Sequence, residues 1–91
     1  MHARYPVAVH IFLRREDDVL LLRRANTGYE DGRLSVVAGH VEPGESVLAA
    51  AVRETHEEVD IVVAPSDLHM VGVMHRQAEQ GRVDFFLTCE A

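Results

Sequence analysis

Three glutamates, Glu54, Glu57 and Glu58, stand close together just after Arg53, and Glu45 precedes them at the end of a loop that opens with Gly39. The surrounding segment, residues 39–61, reads GHVEPGESVLAAAVRETHEEVDI and is the one part of the chain that specifies a chemistry. Carboxylates crowded on one surface repel one another, and a bound divalent cation relieves that repulsion best. A cation held there also neutralises phosphate oxygens, so the pattern points to metal-dependent hydrolysis of phosphate compounds. An isolated Glu-Glu pair would more simply be a solvated helix face. The glycine loop, the spacing of Glu45 and the arginine at position 53 together outweigh that simpler reading.

These side chains need a helix to carry them. Ser46 is a suitable N-cap, and Leu48, Ala51, Val52, Thr55 and Val59 recur at helical spacing, which predicts a helix over residues 47–59 with a core-facing stripe. At about 100° per residue, Glu54, Glu57 and Glu58 centre roughly 120° from that stripe, so they lie off the core and can reach a ligand. His56 faces neither side and reads as plain surface. Upstream, residues 6–13 alternate as a strand covered on both faces, 14–18 are a polar break, and 19–24 complete a hairpin. Asn26-Thr27-Gly28 and Glu30-Asp31-Gly32 are turn signals, and 34–38 form an extended lead into Gly39. Downstream, 61–63 read as a strand, Pro65-Ser66-Asp67 as a break, and 69–75 with 83–89 as a hairpin about a turn at 77–81. Strands, one helix, then strands predict a single α/β domain over residues 1–91 with a mixed sheet.

Composition narrows the class. An apolar fraction of 47% with 26% charged residues suits a soluble globular domain, and no apolar run approaches the roughly 20 residues of a membrane span. A net charge of −6 argues against a binder of nucleic acid polymers, which must neutralise many phosphates, while small phosphorylated ligands stay open because a metal inverts the local charge. The N-terminus lacks the features of a secretory signal, and Cys89 is the single cysteine, so a reducing, cytoplasmic setting is expected. All nine basic residues are arginines, which codon bias explains more simply than selection for phosphate contacts.

The segment 39–61 resembles the Nudix box: glycine, five residues, glutamate, seven residues, then Arg-Glu-U-x-Glu-Glu-x-Gly-U, with U aliphatic. Gly39, Glu45, Arg53, Glu54, Glu57, Glu58 and Ile61 match. Six fixed charged or glycine matches arise by chance in on the order of one chain in 10⁵ of this length. Thr55 stands where the pattern has an aliphatic residue and Asp60 where it has its second glycine. Asp60 should take the left-handed conformation that ends the helix, at a cost on the order of 1 kcal/mol.

The resemblance implies an α/β/α sandwich with a mixed sheet. It also implies that the C-terminal strands and second long helix usual in the family lie beyond Ala91. Either the sequence is a fragment of a longer domain, or a chain that stops there covers the bare sheet face against a partner, with a homodimer as the leading form. By the same resemblance Glu54, Glu57 and Glu58 are metal ligands for Mg²⁺, with Mn²⁺ as an alternative, assisted by a backbone carbonyl at Ala38 or Gly39. One glutamate, or a residue beyond the chain, serves as base. Arg53 and Glu45 form a supporting ion pair, and Arg23, Arg24 and His40 are candidates for substrate contact, with surface roles as the competing reading. His10 and His75 read as packed residues of strands, and Glu79, in a turn, is a weak candidate for a distal base. Family markers for ADP-ribose or dinucleoside polyphosphates would fall near Arg76, Gln77 and Ala78 and are absent. Elimination then favours a nucleoside triphosphate cleaved to monophosphate and pyrophosphate. The rivals are a Nudix-like module that binds nucleotides without cleaving them and an interaction domain with an acidic helix.

Overall fold

The fold is seen in a computed structural model, which describes residues 2–23, 32, 34–77 and 81–90. Arg24, the turn at Asn26-Thr27-Gly28, Glu30-Asp31 and Glu79 lie outside the described residues. The alternating segment near the N-terminus becomes the central strand β1 (Val7–Arg15), and the last alternating segment becomes β7 (Arg82–Glu90). These two run parallel, Val9 opposite Phe85 and Ile11 opposite Leu87. On the outer side of β7 lies β6 (His69–Arg76), antiparallel, with a register shift between Met70 and Gly72. The other edge of β1 takes two short antiparallel partners, β2 (Asp18–Val19) near its end and β5 (Val37–His40) near its start. The sheet is therefore mixed, as expected.

Two expectations need correction. The strand expected over residues 19–24 is split, because the chain leaves the main sheet after Val19 and Leu22–Arg23 (β3) pairs instead with Leu34–Ser35 (β4) in a second, two-stranded sheet. Residues 61–63 form no strand: among the described residues they enter no sheet pairing, and Val63 is buried while Val62 is 81% exposed. A 3₁₀ turn, Pro65–Asp67, follows.

The single helix, α1 (Val47–Val59), has the expected ends. Ser46 Oγ accepts from the Ala49 N–H at 3.1 Å. At the other end Asp60 sits at φ 57°, its N–H donating to the His56 carbonyl. The helix packs on the sheet face carrying Val9, Ile11, Leu13, Leu87 and Cys89, through fully buried Ala50, Ala51 and Thr55. Ala50 lies deeper than the predicted stripe allowed, whereas Leu48, Val52 and Val59 are only partly buried. Small residues at the contact let the helix backbone approach the sheet closely, and the Thr55 hydroxyl is satisfied by the Ala51 carbonyl at 2.8 Å. Burying Ile11 and Leu87 fully contributes about 1.5–3 kcal/mol each, more than any surface ion pair, so this layer holds the helix in place. Glycine tolerates the left-handed conformation that Asp60 adopts, so Asp60→Gly is expected to raise stability by up to about 1 kcal/mol, seen as a higher Tm in thermal unfolding.

The opposite sheet face carries a polar cluster that periodicity did not reveal. Asp84 is fully buried, with His10 Nε2 at 2.8 Å, Arg82 Nε at 3.1 Å and Arg76 Nε at 3.3 Å. Burial acts to raise its pKa, but hydrogen bonds from His10 and then Arg82 outweigh burial and hold the carboxyl below its ordinary range. The His10 ring also stacks on Phe86, centroids 4.9 Å apart. This ties β1, β7 and β6 together from three strands at once.

Candidate active site

The start of β1 pairs with β5, Ala8 opposite His40, so the glycine loop emerges beside the helix N-terminus. Arg53, one turn before Glu57, reaches back over that loop. Its Nε donates to Glu45 Oε2 at 2.7 Å, its Nη2 to Glu45 Oε1 at 3.0 Å and to the His40 carbonyl at 2.9 Å. Glu45 Oε1 also accepts from the Glu42 N–H at 3.0 Å, which closes the turn through Pro43 and Gly44, the latter at φ 80°. The Arg53 hydrogen bond, followed by the Glu42 N–H, lowers the Glu45 pKa from 4.5 to about 2. Hydrogen bonds to Glu45 and then to Glu54 push the Arg53 guanidinium further above its usual range. The expected supporting pair is thus present, and its targets are the loop backbone and the carboxylates.

A depressed pKa has a definite sign. Glu45 contributes stability that is fully present above about 4.5 and is lost as pH falls through about 2. Glu45→Gln should therefore lower Tm at neutral pH, and the difference from the unaltered chain should shrink to nothing near pH 2 in a series of melts.

The catalytic candidates separate into two groups. Glu54, with a side chain only 13% exposed, takes Arg53 Nη1 at 2.7 Å and lies directly over Gly39. A Cβ at position 39 would overlap the Glu54 carboxyl group, which gives this glycine a physical reason. Glu58 stands beside Glu54 and the Ala38 main chain, both of which act on its carboxyl. Desolvation first, then Glu54, raises the Glu58 pKa from 4.5 to about 7. Glu57 is more exposed and turns to Arg53 Nη1 at 3.2 Å.

The donor set suits a hard cation. Desolvation and then Glu54 raise the Glu58 pKa, the mark of crowded carboxyl groups that a divalent ion would satisfy, and the missing Cβ of Gly39 leaves the Glu54 carboxyl room. Among the described residues no three acidic, histidine or cysteine side chains already converge as a closed metal cage. The orientation of Glu57 is in keeping with that. Gly39→Ala should displace Glu54 and weaken Mn²⁺ binding by roughly 10- to 100-fold, the usual cost of disturbing a ligand's support, as read by calorimetric titration.

Of the substrate-contact candidates, Arg23 donates through Nη1 to the Gly32 carbonyl at 2.8 Å. The His40 residue is exposed and uses its carbonyl for Arg53. His75 sets its ring against Tyr5, centroids 4.8 Å apart, but it is exposed, so the expectation of a packed residue is corrected: its strand, β6, lies at the sheet edge. A groove of about 350 Å³ lies at the far end of β1, lined by Leu13, Arg14, Val19 and Ile61 among others, and includes none of the carboxylates.

Comparison with known proteins decides the family. The NUDIX domain model matches residues 4–89. The chain belongs to the Nudix family. It is 29% identical over 91 residues to Nudix hydrolase 5 of Arabidopsis thaliana, covering 98% of this chain and 30% of that protein. It is 34% identical over 62 residues to the 8-oxo-dGDP phosphatase NUDT18 of Mus musculus, covering 68% of this chain and 19% of that protein. Among solved structures, a NUDIX hydrolase from Nitrosomonas europaea superposes with a TM-score of 0.81 at 26% identity, over 96% of this chain and 59% of that one. The Nudix chain thus spans between about a fifth and three fifths of the lengths of these relatives. No helix among its described residues is long and apolar enough to cross a membrane.

Proposed function

We propose that this Nudix domain hydrolyses a phosphoanhydride bond in a nucleoside diphosphate derivative with Mg²⁺, Mn²⁺ serving as a substitute. The observation that carries the reading is the Glu54–Glu58 pair, with the Glu54 carboxyl directly over Gly39 and the Glu58 pKa raised by desolvation and then by Glu54. The metal, when bound, neutralises phosphate oxygens. Glu54 and Glu58 hold it, Glu57 and an Ala38 or Gly39 carbonyl complete its protein ligands, and Arg53 with Glu45 keeps the loop and Glu54 in register. One glutamate takes the proton of the attacking water. Arg23, Arg24 and His40 are the proposed contacts to substrate. A nucleoside triphosphate giving monophosphate and pyrophosphate is the favoured substrate; the mouse relative's name, which specifies a nucleoside diphosphate, keeps the class broad. A cytoplasmic location and a homodimer belong to this reading.

The second reading is a module that binds nucleotide without cleaving it, favoured by the turn of Glu57 toward Arg53. Following a panel of nucleoside di- and triphosphates by ³¹P NMR with Mg²⁺ separates the two. Metal-dependent product supports hydrolysis. Chemical shifts that move with no product, for every nucleotide tried, would favour the binding module.

A further inference from the structure

The three helix carboxylates are fixed to different degrees. Glu54 is held by Gly39 on one side and Arg53 on the other, and Glu58 by Glu54 and the Ala38 backbone. Glu57 is 57% exposed at its side chain, and its ion-pair partner among the described residues is Arg53, four positions earlier. The guanidinium itself is anchored elsewhere: Nε and Nη2 are committed to Glu45 and the His40 carbonyl. That leaves Nη1 shared between Glu54 at 2.7 Å and Glu57 at 3.2 Å. An exposed pair of this kind is weak, and a carboxylate in contact with a divalent ion gains more.

We propose that Glu57 is a latched ligand: Arg53 holds it aside, and it must leave Nη1 before it can join Glu54 and Glu58 around a divalent cation. The inference rests on the metal-dependent reading above and adds a step to it. Arg53 then has two separable tasks. Through Nε and Nη2 it positions the loop whether or not a cation is present, and through Nη1 it spaces Glu57 from the other carboxylates until one arrives. Opening the latch draws on the affinity of the site, and it leaves Nη1 to Glu54, with Glu42 Oε1 at 3.9 Å as its other ion-pair neighbour.

Arginine side-chain NMR on the ¹⁵N-labelled chain reads this directly. With saturating Mg²⁺ the Arg53 Nη signals should shift while the Nε signal, tied to Glu45, stays in place. A double-mutant cycle supplies an independent measurement by electron paramagnetic resonance of free Mn²⁺. Lysine has no fork with which to hold Glu45 and Glu57 together. Because opening the latch offsets part of what Glu57 contributes, Glu57→Gln should weaken Mn²⁺ binding by about three- to tenfold less in the unaltered chain than in Arg53→Lys, the size of departure from additivity expected of coupled neighbours. Nη signals unchanged at saturation, or strictly additive effects, would overturn the latch. Mn²⁺ affinity equal in the unaltered chain and in Glu54→Gln/Glu58→Gln would instead overturn the metal-dependent reading itself.

Discussion

Replacing Glu58 with glutamine is expected to lower metal-dependent turnover by roughly 10²- to 10⁴-fold, the span associated with losing a positioned acid–base or ligand group, while the folded chain becomes no less stable. The two halves of this result have one cause. Desolvation and the neighbouring Glu54 raise the Glu58 pKa to about 7, above its unfolded value near 4.5. A carboxyl with a raised pKa opposes folding as pH climbs through that window, because the unfolded chain releases the proton more readily. Glutamine cannot ionise, and its amide can donate to the neighbouring Glu54. Thermal unfolding at pH 8 should therefore show an unchanged or higher Tm for Glu58→Gln, alongside the loss of turnover. Stability given up at an active site for chemistry is the expected trade. A Tm lowered by many degrees would mean that Glu58 is a structural residue.

The second large effect concerns Asp84. Removing one partner of a buried ionic cluster leaves the others desolvated and unpaired, which costs about 3–5 kcal/mol when the cluster is wholly buried. Here Arg76 and Arg82 are 51% and 38% exposed at their side chains, so water screens part of the loss. Asp84→Ala should then destabilise by about 2 kcal/mol or more, a fall in Tm on the order of 10 °C for a chain of this size. Denaturant melts of Asp84→Ala and His10→Ala, with the double variant, show whether the cluster acts as a unit: strong non-additivity is expected. Such a change, on the sheet face opposite the helix, should leave Mn²⁺ affinity intact in the fraction that remains folded.

The difference between these two sites shows which structure is legible in a sequence. The helix was readable to the residue, because Ser46, the apolar spacing and Asp60 are local signals written within one element. The Arg53–Glu45 pair was readable because both residues belong to one fixed motif. Asp84 was not, since its partners come from three strands and only the parallel register of β1 with β7 brings His10 near it. The break between β2 and β3 was equally hidden: Val19, Leu20, Leu21 and Leu22 form one apolar run, and nothing local states that the chain changes sheets within it. Residues 61–63 failed for a related reason, as β-branched residues favour a strand only where a neighbouring backbone is on offer. Spacing placed Glu57 with Glu54 and Glu58, whereas the structure turns it to Arg53, a choice between two partners that spacing alone leaves undecided.

A crystal of the chain grown with Mn²⁺, with the ion located by anomalous scattering, tests the central claim most directly. The account predicts one ion in contact with the carboxylates of Glu54 and Glu58, beside the backbone at residues 38–39. An ion located elsewhere, or bound by neither Glu54 nor Glu58, would contradict it.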